Sequence, residues 1–312
     1  MEAVTRRSRS LLPYVALAAV AVSLPTLALL LRKGHAATPA AAPVTPPASG
    51  IASPRLPSPG GVVLARESGR LAVVLSARHQ RRGRLGLTAT VIGPSGSGAS
   101  GLRVAFGDGG RRVAARACGS GCYAGSLGGS PRRVTVRVGG ASVPFAFPAR
   151  APAADELVRR VARSLRSARS LVIDERLASS PKVGIDARFE VAAPDRLRYQ
   201  IVGGSDAIVI GARRWDRATA RERWVPSAQT PLSLPAVPWG GSPQDARVVG
   251  ATGRLWIVTL LDPQIPAWFE LRVDKQTLRP AEVRMIAAAH FMRDRYSRYD
   301  EPLAIRPPRA AR

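Results

Sequence analysis

The sequence predicts a mainly β protein with one long helix in the second of two folded domains, preceded by an N-terminal transmembrane helix. Three observations carry this. An apolar run extends from Leu11 to Leu31. Short alternating runs separated by Gly-rich turns fill residues 61–149, the pattern of an Ig-like antiparallel β-sandwich. From residue 150 a helical spacing of apolar residues appears once and then gives way to further strands.

The chain has 312 residues and 46% hydrophobic content, enough to build two cores. Its formal net charge of +26 is almost entirely arginine: the lysines are Lys33, Lys182 and Lys275, and there is no asparagine. That skew has the character of GC-rich coding. The charges are spread along both folded regions rather than gathered in a stripe with interleaved aromatics, so no nucleic-acid partner is expected. Attraction to an anionic membrane or wall polymer is the expected consequence.

Residues 1–10, with Arg6, Arg7 and Arg9, form a basic cytoplasmic end. Residues 11–31, at about 1.5 Å per residue, reach across the ~30 Å hydrocarbon core of a bilayer. The expected location is the cell membrane, single-pass, with the bulk of the chain extracytoplasmic. The run exceeds the apolar region of about 7–15 residues usual in a cleaved signal peptide; the small residues Ala36 and Ala37 leave cleavage as an alternative. Arg32 and Lys33 make the positive-inside bias slight. Residues 32–60 are rich in Ala and Pro and form an extended linker.

In residues 61–149, strand-like runs cover 70–77, 84–92, 102–106, 111–117, 132–138 and 142–147. Gly96–Gly101 has the glycine spacing of a dinucleotide-binding loop. It leads into a strand, where no helix N-terminus could receive a phosphate, so that reading is rejected. In residues 150–312, Leu157, Val158, Val161, Leu165 and Ala168 share one helix face, predicting an amphipathic helix to about Ser170. Strands follow at 171–177, 184–192, 196–202, 206–211, 254–261, 268–273, 281–289 and 290–299. The Pro-rich stretch between Trp224 and Arg247 is too irregular for a strand and has the length of a lid.

The order of one helix, then hairpins carrying the phrases APDRLRY (193–199), VIG (209–211) and RRWDR (213–217), resembles the LolA-like lipoprotein-carrier family over residues 153–308. That resemblance implies an α+β half-barrel of antiparallel strands whose concave face shelters acyl chains. The first domain, through its strand pattern and the phrase ACGSGCY (117–123), is similar to YtkA/CopC-like sandwiches associated with copper handling. The whole array resembles the extracytoplasmic tail of actinobacterial copper-resistance D-type fusion proteins, without their multi-span membrane domain. It implies a membrane copper-transport protein as a partner.

Enzyme constellations are scarce. The histidines are His35, His79 and His290, and there is no nucleophile elbow, zinc-protease motif or phosphate loop, so no catalytic residue and no enzymatic activity is expected. Asp174 and Glu175 are adjacent in a predicted strand, point to opposite faces and cannot form an acid–base pair. Cys118 and Cys122 flank a three-residue hairpin loop that suits a disulfide. The alternative is a Cu(I) site from two thiolates, extended by His290 and Met292, which share a face of the penultimate predicted strand. The tryptophans Trp215, Trp224, Trp239, Trp256 and Trp268 all lie in the second domain. Trp239 and Leu234 in the Pro-rich loop, with Trp215, Trp256 and Trp268, are the candidate lining of a ligand cavity.

These features point to a membrane-anchored extracytoplasmic binding protein that holds an apolar ligand, lipid or acylated, without a cofactor. The alternatives are a copper-resistance accessory protein that binds copper in the envelope, and a structural envelope module.

Overall fold

The computed structural model describes residues 54–308, apart from 181, 182 and 265. The predicted anchor at 11–31 and the linker up to residue 53 lie outside the described residues. Among the described residues, no helix is long and apolar enough to cross a membrane. Within these described residues the chain is mainly β, with large antiparallel sheets and one α-helix.

Nine strands precede the helix: β1 (Val62–Ser68), β2 (Leu71–Gln80), β3 (Arg84–Ile92), β4 (Val104–Gly107), β5 (Arg112–Ala114), β6 (Arg116–Gly119), β7 (Cys122–Gly128), β8 (Arg133–Val138) and β9 (Ala141–Ala146). They form a five-stranded sheet, β1-β2-β3-β7-β6, and a four-stranded sheet, β5-β4-β8-β9. Val73, Leu75, Leu87, Phe106, Val136 and Phe145 pack between them in a sandwich-like arrangement. The sequence reading missed β1 and β7 and merged β5 with β6. In β7 the apolar alternation is broken by Gly125, where a Cβ would come 3.0 Å from the Phe106 ring. Glycine is there because an aromatic of the facing sheet occupies the space of a side chain. Residues 54–60, assigned to the linker, are seated on this unit: Arg55 Nη1 donates to Cys118 O at 2.9 Å, and Thr90 Oγ1 donates to Arg55 O at 3.1 Å.

Helix α1 spans Asp155–Arg166. Asp155 and Glu156 in its first turn and Arg163 and Arg166 in its last suit the helix dipole, and Val158, Val161, Ala162 and Leu165 are its buried face. It stops short of the predicted Ser170. The Arg169 N–H donates to Asp300 Oδ1 at 2.7 Å, and the Ser170 hydroxyl donates to Glu301 O at 2.5 Å, drawing the chain into a strand.

Eleven strands follow: β10 (Ser170–Ser180), β11 (Val183–Ala192), β12 (Arg196–Ile201), β13 (Asp206–Ile210), β14 (Arg213–Arg217), β15 (Val225–Ala228), β16 (Gln244–Thr252), β17 (Leu255–Asp262), β18 (Ala267–Asp274), β19 (Pro280–Ala287) and β20 (His290–Ser297). They make one antiparallel sheet in the order β15-β14-β13-β12-β11-β10-β20-β19-β18-β17-β16. Two of these elements cut into the predicted loop: β15 and the start of β16 lie within 224–247, leaving residues 229–243 as irregular chain.

This sheet curves around α1. The chain entering α1 bonds to β16, with Ala154 N donating to Ala246 O at 2.9 Å. Near its other end, Leu165 shares a hollow with Leu171 of β10, Phe189 of β11 and Leu197 of β12. On a flat sheet β12 and β16 would be roughly 34 Å apart at ~4.8 Å per strand, whereas α1 is about 18 Å long. Only a curved sheet brings both to one helix.

The two units share a third core. Val63, Ala65, Ala72, Val74 and Ile92 of the five-stranded sheet meet Leu261, Trp268, Ile286 and Phe291 on the outer face of the curved sheet. The continuous apolar run of β2 follows directly: Val73 and Leu75 face the sandwich interior, and Ala72 and Val74 face the second unit. A strand covered on both sides loses its alternation.

Candidate functional site

The inner face of the curved sheet is largely apolar; its polar side chains are Arg214 and Asp216 near one edge, Asp262 under the loop, and a buried carboxyl pair on the central strands. Along β10 the alternation turns Ile173, Glu175 and Leu177 inward and Asp174 and Arg176 outward; Asp174 is paired there with Arg188 at 2.8 Å. Along β20 the same period turns Met292, Asp294 and Tyr296 inward, with Arg293 and Arg295 outward. Register sets Glu175 directly opposite Asp294. Both are buried, at 5% and 4% exposure, so two carboxyl groups stand side by side in an apolar interior.

Asp294 Oδ2 accepts the Tyr296 hydroxyl at 3.2 Å. Glu175 Oε1 and Asp294 Oδ1 have no hydrogen-bond partner among the described residues. Burial drives both pKa values up, Asp294 to about 7 and Glu175 well above the ordinary carboxyl range, the latter reinforced by the neighbouring Asp294 charge. The Tyr296 hydroxyl is also pushed up by burial. Near neutral pH the pair therefore retains a proton, which lets it both donate and accept.

The pair borders a hollow of about 40 Å³ walled by Leu165, Leu171, Phe189 and Leu197, with Leu234, Pro235, Ala236 and Pro238 of the 229–243 loop as its roof. That loop is held at few points. Gln229 N donates to Ala212 O at 3.0 Å, Leu234 N donates to Pro194 O at 2.9 Å, and Gly240 N donates to the buried Asp262 carboxylate. A Cβ at Gly240 would lie 2.6 Å from Asp262 Oδ2, so this anchor requires glycine. Between the anchors, Leu234 and Trp239 reach into the core, 8% and 4% exposed, with Trp239 edge-on to Phe269 at 6.5 Å. The space predicted for an apolar cavity is thus largely filled by the loop's own side chains.

The other candidate residues divide. Trp256 packs against the interior cluster. Trp268 does not line the cavity: it faces the sandwich, and its Nε1–H donates to Val63 O at 3.2 Å. Trp215 does not line it either, lying opposite Ile208 and Pro226 on the outer side near the sheet edge. Both strands put these side chains on the face opposite Phe269 and Val209, which pack inward. Cys118 and Cys122 form a disulfide with Cα atoms 5.0 Å apart. While it is intact, neither sulfur is a thiolate for a soft metal. His290 opens β20, the last strand rather than the penultimate one, and burial lowers its pKa. Met292 packs in the interior opposite Met285. Among the described residues no three His, Cys, Asp or Glu side chains gather in a metal-binding group. Asp294 is not among the sequence-predicted site residues, because only the β10–β20 register brings it to Glu175.

No family model matches the chain, and no curated protein matches it.

Proposed function

We propose that this chain is a membrane-anchored, extracytoplasmic binding protein rather than a catalyst, and that its curved sheet is a half-barrel of the lipoprotein-carrier kind. Its ligand is an apolar chain ending in a hydrogen-bond donor, an amine or a hydroxyl. The observation that supports this reading is the pair of unpartnered oxygens, Glu175 Oε1 and Asp294 Oδ1, bordering an otherwise apolar hollow. A buried polar group left unpaired costs about 1–3 kcal/mol, and a donor on a ligand would recover it. The 229–243 loop acts as the lid, with Leu234 and Trp239 holding the place of the ligand's apolar part in the closed state.

Calorimetric titration of the full chain with dodecylamine and with dodecanoate at neutral pH tests this. The amine should bind at least tenfold more tightly, and Glu175→Gln with Asp294→Asn should abolish the difference. Equal affinities would remove the carboxyl pair from recognition. Absence of binding by both would remove the carrier reading.

A further inference from the structure

The outer face of the curved sheet carries two neighbouring cross-strand rows of charge. One alternates in sign: Arg272, Glu282, Arg295, Asp174 and Arg188 lie opposite one another in turn across β18, β19, β20, β10 and β11. The other does not. Its order is Glu270, Arg284, Arg293, Arg176 and Asp186, so register forces three arginines side by side on adjacent strands. Like charges directly opposite one another destabilise a sheet, and the adjacent row shows that this sheet accommodates the alternating solution.

These three arginines line a half-open cleft of about 580 Å³ between the two units, where Arg66 of β1 approaches from the sandwich. The volume is that of a small-molecule site. Counting Arg272, five arginines line it against two glutamates, Glu67 and Glu270. Arg176 is paired with Asp186 at 3.2 Å, whereas Arg284 and Arg293 find only loose partners. Arg284 reaches Glu67 only at 3.5 Å, and Arg293 reaches Glu282 at 3.7 Å, a carboxylate that also has Arg272 at 3.9 Å and Arg295 at 3.8 Å. Arg272 Nε is buried with no hydrogen-bond partner among the described residues.

We infer that this cleft binds a phosphoryl group, with Arg284 and Arg293 as its principal ligands and Arg176 and Arg66 flanking them. The planar fork of one guanidinium matches two oxygens of a phosphoryl group, and strands ~4.8 Å apart let neighbouring arginines take different oxygens of the same group. The bound dianion would neutralise the row that the fold leaves in mutual repulsion. A phosphorylated small molecule and an anionic lipid headgroup share this chemistry.

Titration of the full chain with inorganic pyrophosphate in 150 mM salt, and co-sedimentation with vesicles of phosphatidylglycerol in phosphatidylcholine, separate the two sources. At least one probe should bind, and Arg284→Gln and Arg293→Gln should each weaken it tenfold or more. Arg293→Lys should weaken it less, and Arg188→Gln, in the alternating row, should leave it within twofold. Pyrophosphate binding assigns a soluble phosphate ligand, and vesicle binding alone assigns a headgroup. Because Arg293→Gln relieves repulsion, its melting temperature should match or exceed that of the wild type. Binding of neither probe, equal loss in Arg188→Gln, or a clear fall in melting temperature for Arg293→Gln would overturn the inference.

Discussion

The protein should lose stability as pH is raised from about 5 to about 8, and replacing Glu175 by Gln together with Asp294 by Asn should remove most of that slope. Burial raises both carboxyl pKa values, so the folded state keeps protons that the unfolded chain has already released. Their stabilising protonation is complete below the unfolded values, 3.8 for Asp294 and 4.5 for Glu175, and is lost for Asp294 as pH climbs through about 7 and for Glu175 at a pH well above 4.5. A tenfold change in proton affinity corresponds to about 1.4 kcal/mol, and because the two carboxyls titrate together the effect belongs to the pair rather than to either residue. Nothing facing the pair offsets this: α1 contributes Leu165, β11 Phe189, β12 Leu197 and the loop Leu234, while the nearest polar group is the Tyr296 hydroxyl. His290 works in the opposite direction, because its lowered pKa makes the fold more stable as pH rises towards 6.5. It is one half-buried group against two carboxyls, so the net slope stays negative. Denaturant melts of wild type and double variant at several pH values measure it. A wild-type slope equal to that of the variant would show that the pair is not titrating within the fold.

Trp268→Ala should cost about 3–5 kcal/mol, the range for deleting a buried aromatic, and should uncouple the two units. Trp268 is 1% exposed, its indole nitrogen is bonded to Val63 O, and it joins Ile286 and Phe291 against Val63 and Val74. Removing it leaves a hole between two sheets rather than inside one, so neither unit can close the hole alone. Unfolding of the variant should separate into two transitions, read by tryptophan emission for the second unit and by far-ultraviolet dichroism for both. A single transition with a loss below about 1 kcal/mol would mean that the interface contributes little.

The mainly β class, the helix of the second unit and the Cys118–Cys122 bridge were legible because each rests on local pattern. What escaped depended on partners distant in sequence. β7 reads as a turn because Gly125 yields its side-chain space to Phe106 of the other sheet. Trp268 was placed in a cavity because a strand's period gives two faces without saying which one is inner. Asp294 was legible in principle: in MRDRY, Arg293 and Arg295 mark the wet face, which leaves Asp294 on the dry face with Met292 and Tyr296. Glu175 sits likewise between Ile173 and Leu177. Only register across β10 and β20 makes the two a pair.

The most direct test of ligand capture beneath the 229–243 loop is fluorine NMR of the full chain labelled with 5-fluorotryptophan, with the Trp239 resonance assigned from Trp239→Phe. In the free protein this resonance should report a buried indole. Titration with dodecylamine should move it towards the position of a solvent-exposed indole as the loop is displaced, while the Trp268 resonance at the interface stays fixed. A Trp239 resonance that does not move at saturating ligand would contradict the account.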